Sequence, residues 1–248
     1  MSLTAEQIAN NWEQFRKRVD EWFPERAEAL NKMYDFYEDR MLLMPASSVD
    51  HYHNAFEGGY VDHVLRVMDC ADQLYSTWGE MGASLDGFTR EELMFAAMHH
   101  DLGKAGFPQE NGEIYIPNDS EWHRKNQGKM YKINPTNPFA MVPDLGLWTL
   151  QNFNVPVTWN EYQAIRIHDG LYDEANKPYF ISRTADSKLR TNMSVILHHA
   201  DYMAARIEYE AWRENRPSSP APKKKSKVST PTPTVNASKL FDDLFGDS

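Results

Sequence analysis

Hydrophobic positions recur at helical spacing along most of the chain. Ile8, Trp12, Phe15, Val19 and Trp22 follow one another at alternating gaps of four and three, which lines them along one face of a helix. Thr4 with Gln7 forms a capping box ahead of it. Pro24 restarts the chain into a second helix through Leu30, Met33, Tyr37 and Met41. Gly58-Gly59 opens a third, carrying Val61, Val64, Leu65, Met68 and Leu74. Thr89 with Glu92 starts a fourth through Leu93, Ala96, Ala97 and His100, and Gly103 is placed to end it. Residues 104–118 are rich in Gly, Pro and Asn, with a short strand pair expected around Ile114 to Ile116. Further helices are expected at about 119–130, 143–154, 158–168 and 189–213. There is no succession of alternating strand patterns. The predicted fold class is all-α.

The pattern stops after Arg216. Residues 217–239 hold five prolines, many Ser and Thr, and only Val228 and Val235 as large aliphatic side chains. Such a stretch cannot bury enough apolar surface to offset its ordering entropy, so it reads as a disordered linker. Three parts follow: a body over 1–216, the linker over 217–239, and a terminal peptide over 240–248. The 248-residue chain carries −10 overall. Removing the five lysines and three aspartates beyond residue 216 takes the body to −12. An acidic body argues against a broad, sequence-independent grip on nucleic acid.

A hydrophobic content of 41% is ample for a core. The single cysteine, Cys70, excludes a disulfide framework and a thiolate metal cluster. No run approaches the roughly 20 apolar residues of a membrane span, and MSLTAEQIANNWEQ is too polar for a signal peptide. A cytoplasmic protein is the expectation.

All nine histidines lie in the body. His100 shares a helical face with Leu93, Ala96 and Ala97, so it points inward, and Asp101 follows it. A charged Asp beside a buried His is costly unless compensated, and a divalent cation would compensate it. The alternative is a satisfied core histidine with Asp101 exposed. His63 shares a helical face with Val67 and Cys70. His168 ends a helix carrying Tyr162 and Ile165, and Asp201 sits in a helix among Leu197, His198, Ala204 and Ala205. Singly each suits a structural role; together they suggest four helices converging on one centre.

Those residues carry a resemblance. Gly58-Gly59-Tyr60-Val61-Asp62-His63, then His99-His100-Asp101-Leu102-Gly103-Lys104, then Leu197-His198-His199-Ala200-Asp201, resembles the HD superfamily of metal-dependent phosphohydrolases. The resemblance spans residues 63–201. It implies a helical HD-domain bundle in which His63, His100, Asp101 and Asp201 ligate a first metal. His123 and His168 fall where two-metal members add histidines; Asp169 stands where some exonuclease-like members have a second histidine. Ligands of nitrogen and oxygen suit one or two ions of Mn²⁺, Fe²⁺, Mg²⁺, Co²⁺ or Zn²⁺.

The implied reaction is hydrolysis of a phosphoester in a nucleotide or a nucleic-acid 3′ end by metal-activated hydroxide, with Asp101 bridging. Lys104 either neutralises a substrate phosphate or complements a helix dipole. His198 is a proton donor or supporting residue, or an ordinary partly buried histidine. Tyr172, Lys177 and Tyr179 offer a clamp for a base or phosphate, although exposed loop positions also explain them. Mixed-valent di-iron oxygenases share this scaffold, and a nucleotide-binding adaptor is the non-catalytic alternative.

Leu240, Phe241, Leu244 and Phe245 form a small apolar helical face beyond the linker. The peptide resembles the C-terminal sliding-clamp-binding tails of T-even-like phage replication and late-transcription proteins. That likeness implies a phage-encoded chain in the host cytoplasm, tethered to a clamp through those four residues. Folding back onto the body is the alternative.

Overall fold

The computed structural model describes residues 2–182, 184 and 188–215. The linker and the peptide with Leu240, Phe241, Leu244 and Phe245 lie outside the described residues. Among those described there are nine α-helices and one two-stranded hairpin, so the fold is all-α.

Helix α1 (Ala5–Trp22) starts at Thr4, whose hydroxyl accepts from the Gln7 N–H while the Gln7 side chain accepts from the Thr4 N–H. Its face of Trp12, Phe15 and Val19 is buried. Phe15 packs edge-on against Tyr34 of α2 (Ala27–Leu43), with ring centroids 5.0 Å apart. Helix α3 (Gly59–Glu80) runs through the middle. It packs against α1, α2, α4 (Arg90–His99) and α9 (Met193–Asn215). Seven consecutive residues of α4, from Leu93 to His99, are buried, so this helix is enclosed on all sides instead of presenting one stripe.

Between α4 and α6 (Val142–Asn152) the chain is irregular. Strand β1 (Tyr115–Pro117) pairs antiparallel with β2 (Tyr131–Ile133), and the short α5 (Glu121–Gln127) connects them. One strand falls where the strand pair was expected, but its partner is Tyr131–Ile133, beyond α5, because the chain returns only after that helix. Helix α7 (Trp159–Ile167) begins with a third capping box, Thr158 with Glu161, and is followed by the short α8 (Lys177–Ile181). Its buried face is Glu161, Ala164, Ile165 and His168; Tyr162 is exposed.

Gly103 departs from its expected place. Helix α4 ends at His99, and Gly103 lies inside a following 3₁₀ turn, Leu102–Ala105. What requires glycine there is proximity: a Cβ would stand 2.0 Å from the Val142 carbonyl oxygen and 2.9 Å from the Gly146 nitrogen. Backbone, which cannot rotate away, sets that limit. The turn carrying Asp101 and Lys104 is thereby seated directly on α6. Gly103→Ala is expected to destabilise the protein by about 1–3 kcal/mol, the usual penalty of overpacking. A lower urea midpoint with an unchanged m-value would register it.

Candidate metal centre

Four elements bring the sequence's inward histidines and acids together. His63 comes from the second turn of α3, His100 from the end of α4, His168 from the end of α7, and Asp201 from α9. His63 and His100 are fully buried, and His168 and Asp101 nearly so. The His63 and His100 rings lie 5.6 Å apart, and His100 and His168 4.9 Å.

Each ring is held by the nitrogen that faces away from the centre. His100 Nδ1 lies 2.8 Å from the Ala97 carbonyl and His168 Nδ1 2.8 Å from the Ile165 carbonyl, in both cases one helical turn back. A carbonyl only accepts, so Nδ1 carries the proton and Nε2 is left with a lone pair. His63 Nδ1 is 3.1 Å from both carboxylate oxygens of Glu208, which is buried on α9 and also bound by Arg66 Nε at 3.2 Å.

The Nε2 atoms converge on the acids. His63 Nε2 is 3.2 Å and His100 Nε2 3.8 Å from Asp201 Oδ1; His100 Nε2 is also 3.4 Å from Asp101 Oδ2. His168 Nε2 lies 3.7 Å from Asp101 Oδ1 and 3.8 Å from Asp169. Despite this proximity, the buried Nε2 atoms of His53, His63 and His100 have no aligned hydrogen-bond partner among the described residues. Donor atoms that crowd without bonding one another are oriented toward a shared point. Three groups could hold a metal ion, each with ligand atoms within 4.8 Å of one another: His63, His100 and Asp201; His100, Asp101 and His168; His53, His63 and Asp101. The donors are imidazole nitrogens and carboxylate oxygens, which fits a divalent cation.

Electrostatics agree with that fit. Burial opposes charge on His63, yet Glu208 and Asp201 push its pKa up to about 10. Burial would raise both aspartates, but Lys104 and His100 hold Asp101 well below the usual carboxylate range, while His63 and His100 do so for Asp201. Lys104, half-buried, lies against the Asp101 carboxylate, which raises its pKa although desolvation opposes the charge. A site whose negative potential binds protons this firmly attracts other cations for the same reason.

His99 takes no part. Its Nδ1 meets the Phe95 carbonyl at 2.7 Å and its Nε2 the Tyr34 hydroxyl at 2.7 Å, so both nitrogens are satisfied within the core. Burial lowers its pKa to about 3. His123 belongs to none of the three groups; half-buried on α5, it packs against Trp122 with centroids 5.3 Å apart. Along the chain it sits between the two strands.

A cavity of about 550 Å³ adjoins the centre, lined in part by His53, Asp169, Tyr172, His198, Asp201 and Arg206. The Tyr172 and Tyr202 rings face one another at 6.5 Å and 27°. His198 Nδ1 donates to the His168 carbonyl at 2.8 Å, which leaves Nε2 for a ligand. Lys177 does not line this cavity. On the exposed α8 it pairs with Glu174 at 2.6 Å, and Tyr179 beside it is 40% exposed.

Two residues of the centre escaped the motif-based reading. Glu208 had a periodic signal: Leu197, Ala200, Ala204 and Glu208 follow one face of α9, seven residues beyond Asp201. His53 had none, because it comes from the loop before α3. Glu208→Gln is expected to weaken divalent-metal binding about 10–100-fold, the usual effect of losing a carboxylate that orients a histidine ligand. Competition titration with a chromophoric chelator measures it.

Compared with known proteins, the chain matches no family model, no curated protein and no solved structure.

Proposed function

We propose that the protein is a metal-dependent phosphohydrolase acting on a nucleotide or a nucleic-acid 3′ end. The observation that carries this reading is the set of buried, unpartnered imidazole Nε2 atoms turned toward Asp101 and Asp201 beside an open cavity. A divalent cation bound there supplies an activated water near neutral pH and polarises a phosphoryl oxygen.

The chain's own groups then divide the remaining work. Asp101 has two oxygens turned to different partners, Oδ2 to Lys104 and His100 and Oδ1 to His168, which suits a carboxylate shared between two ions. Lys104 keeps positive charge beside that carboxylate, where phosphate charge develops. His198 presents Nε2 on the cavity wall as the proton donor to a leaving oxygen. Tyr172 and Tyr202 offer stacking faces for a base, and Arg206, whose guanidinium lies over Tyr209 at 4.9 Å, offers a partner for phosphate.

Phosphate release from nucleotides, cyclic nucleotides and single-stranded oligonucleotides, assayed with Mn²⁺, Fe²⁺, Co²⁺, Mg²⁺ or Zn²⁺, tests the reading. Asp101→Asn is expected to lower the rate roughly 100-fold or more, equivalent to several kcal/mol of lost charge stabilisation, with the melting curve still cooperative. Full activity in that variant sinks the mechanism. Oxygen consumption without phosphate release by the iron-loaded protein would assign the centre to oxygenation instead.

A further inference from the structure

His53 lies outside every motif that identified the other candidate ligands, yet the loop that carries it is anchored by hydrogen bonds. The loop between α2 and α3 is tied at several points. Ala46 N–H donates to the Asn54 carbonyl at 3.1 Å, and Asp50 N–H to the Gly128 carbonyl at 2.8 Å. Tyr131 N–H donates to the Ser48 carbonyl at 3.1 Å, joining the loop to the hairpin. Asn54, next to His53, donates from its side chain to Asp62 of α3 at 2.8 Å. Gly59 lets this loop approach: a Cβ there would stand 2.1 Å from the Asn54 carbonyl oxygen. The glycine one turn before His63 therefore sets how closely His53 comes to it.

The result is a ring packed on the His63 ring, with centroids 4.7 Å apart and planes 32° from parallel. His53 Nε2 is buried and has no hydrogen-bond partner among the described residues, like the Nε2 atoms of His63 and His100. It forms a group with His63 and Asp101, all ligand atoms within 4.8 Å of one another.

How these groups overlap decides what His53 can do. An imidazole nitrogen has one lone pair and serves one ion, whereas a carboxylate can bridge two. His63 Nε2 belongs both to the group with His100 and Asp201 and to the group with His53. Those groups therefore describe one ion. His53 and His168 share no group, although each shares one with Asp101. His100, like His63, belongs to two groups, one of them with Asp101 and His168, so the three groups meet in one connected cluster.

We propose that His53 is a further ligand of the cation held by His63, His100, Asp101 and Asp201. It would bring the candidate donors to five, beside the cavity that His53 and Asp201 also line. The inference rests on the metal centre proposed above and sharpens it. Five nitrogen and oxygen donors exceed the four of a tetrahedral zinc site and suit a six-coordinate ion. Three imidazoles disfavour Mg²⁺, which prefers oxygen ligands and retained waters. The site is therefore built for Mn²⁺, Fe²⁺ or Co²⁺.

Co²⁺ and Mn²⁺ binding to the full chain tests this without reference to activity. The probes are competition titration and the visible spectrum of the Co²⁺ form, applied to wild type, His53→Ala and His53→Phe. The phenylalanine variant keeps an aromatic ring against His63 and removes only the donor, and thermal melts of the metal-free proteins check that each is folded. The wild type is expected to show the weak visible bands of six-coordinate Co²⁺. Both variants are expected to bind Co²⁺ and Mn²⁺ at least about 10-fold more weakly and to give stronger bands as the coordination number falls. Folded variants with wild-type affinity and spectrum would overturn the role of His53 alone. A wild type that binds neither ion would overturn the metal centre as well.

Discussion

Buried charge must be compensated, and that constraint organises the middle of this protein. Asp101 is almost wholly enclosed, with Asp201 half-buried beside it, among His63, His100 and His168. Bare carboxylates there would be strongly destabilising. Part of the compensation is internal: Lys104 lies against Asp101, and Glu208 and Asp201 raise the pKa of His63 against the effect of burial. The remainder is the unspent capacity of Nε2 atoms that face acids without bonding them. That capacity is what would let the cluster hold a cation.

The helices exist, in effect, to hold those atoms still. His100 and His168 both sit at a helix end, where the carbonyl one turn back fixes Nδ1 and so aims Nε2. His63 is fixed differently, by a carboxylate reaching across from α9. Glu208 in turn is held by Arg66, which also contacts Asp62, and Asp62 accepts from Asn11 of α1 and Asn54 of the preceding loop. One polar network thus links three helices and a loop to a single imidazole. Such support keeps a coordination geometry intact when an ion enters or leaves.

Much of the fold could be read from the chain. The capping boxes at Thr4 and Thr89 and the stripe through Trp12, Phe15 and Val19 are local signals, and local signals survive folding. Residues 63, 100, 101, 168 and 201 were legible as inward-facing for the same reason. The less regular places failed for identifiable causes. Gly103 reads as a helix terminator but is required by contact with a backbone forty residues away. His123 and Lys177 carry suitable chemistry at a plausible position in the sequence, yet His123 belongs to none of the three groups and Lys177 pairs with Glu174 on the exposed side of α8.

The sequence by itself determined an all-α fold and which polar side chains lie on buried helical faces, because periodicity encodes the direction of burial. Only the tertiary structure decided which of those side chains meet. His99 and His100 are adjacent in the chain and equally buried, but one bonds Tyr34 in the core and the other faces two aspartates. His53 has no periodic signal at all and reaches the centre because its loop is drawn in against Gly59. Convergence is a property of how helices cross and loops are anchored, and spacing along one element carries no information about it.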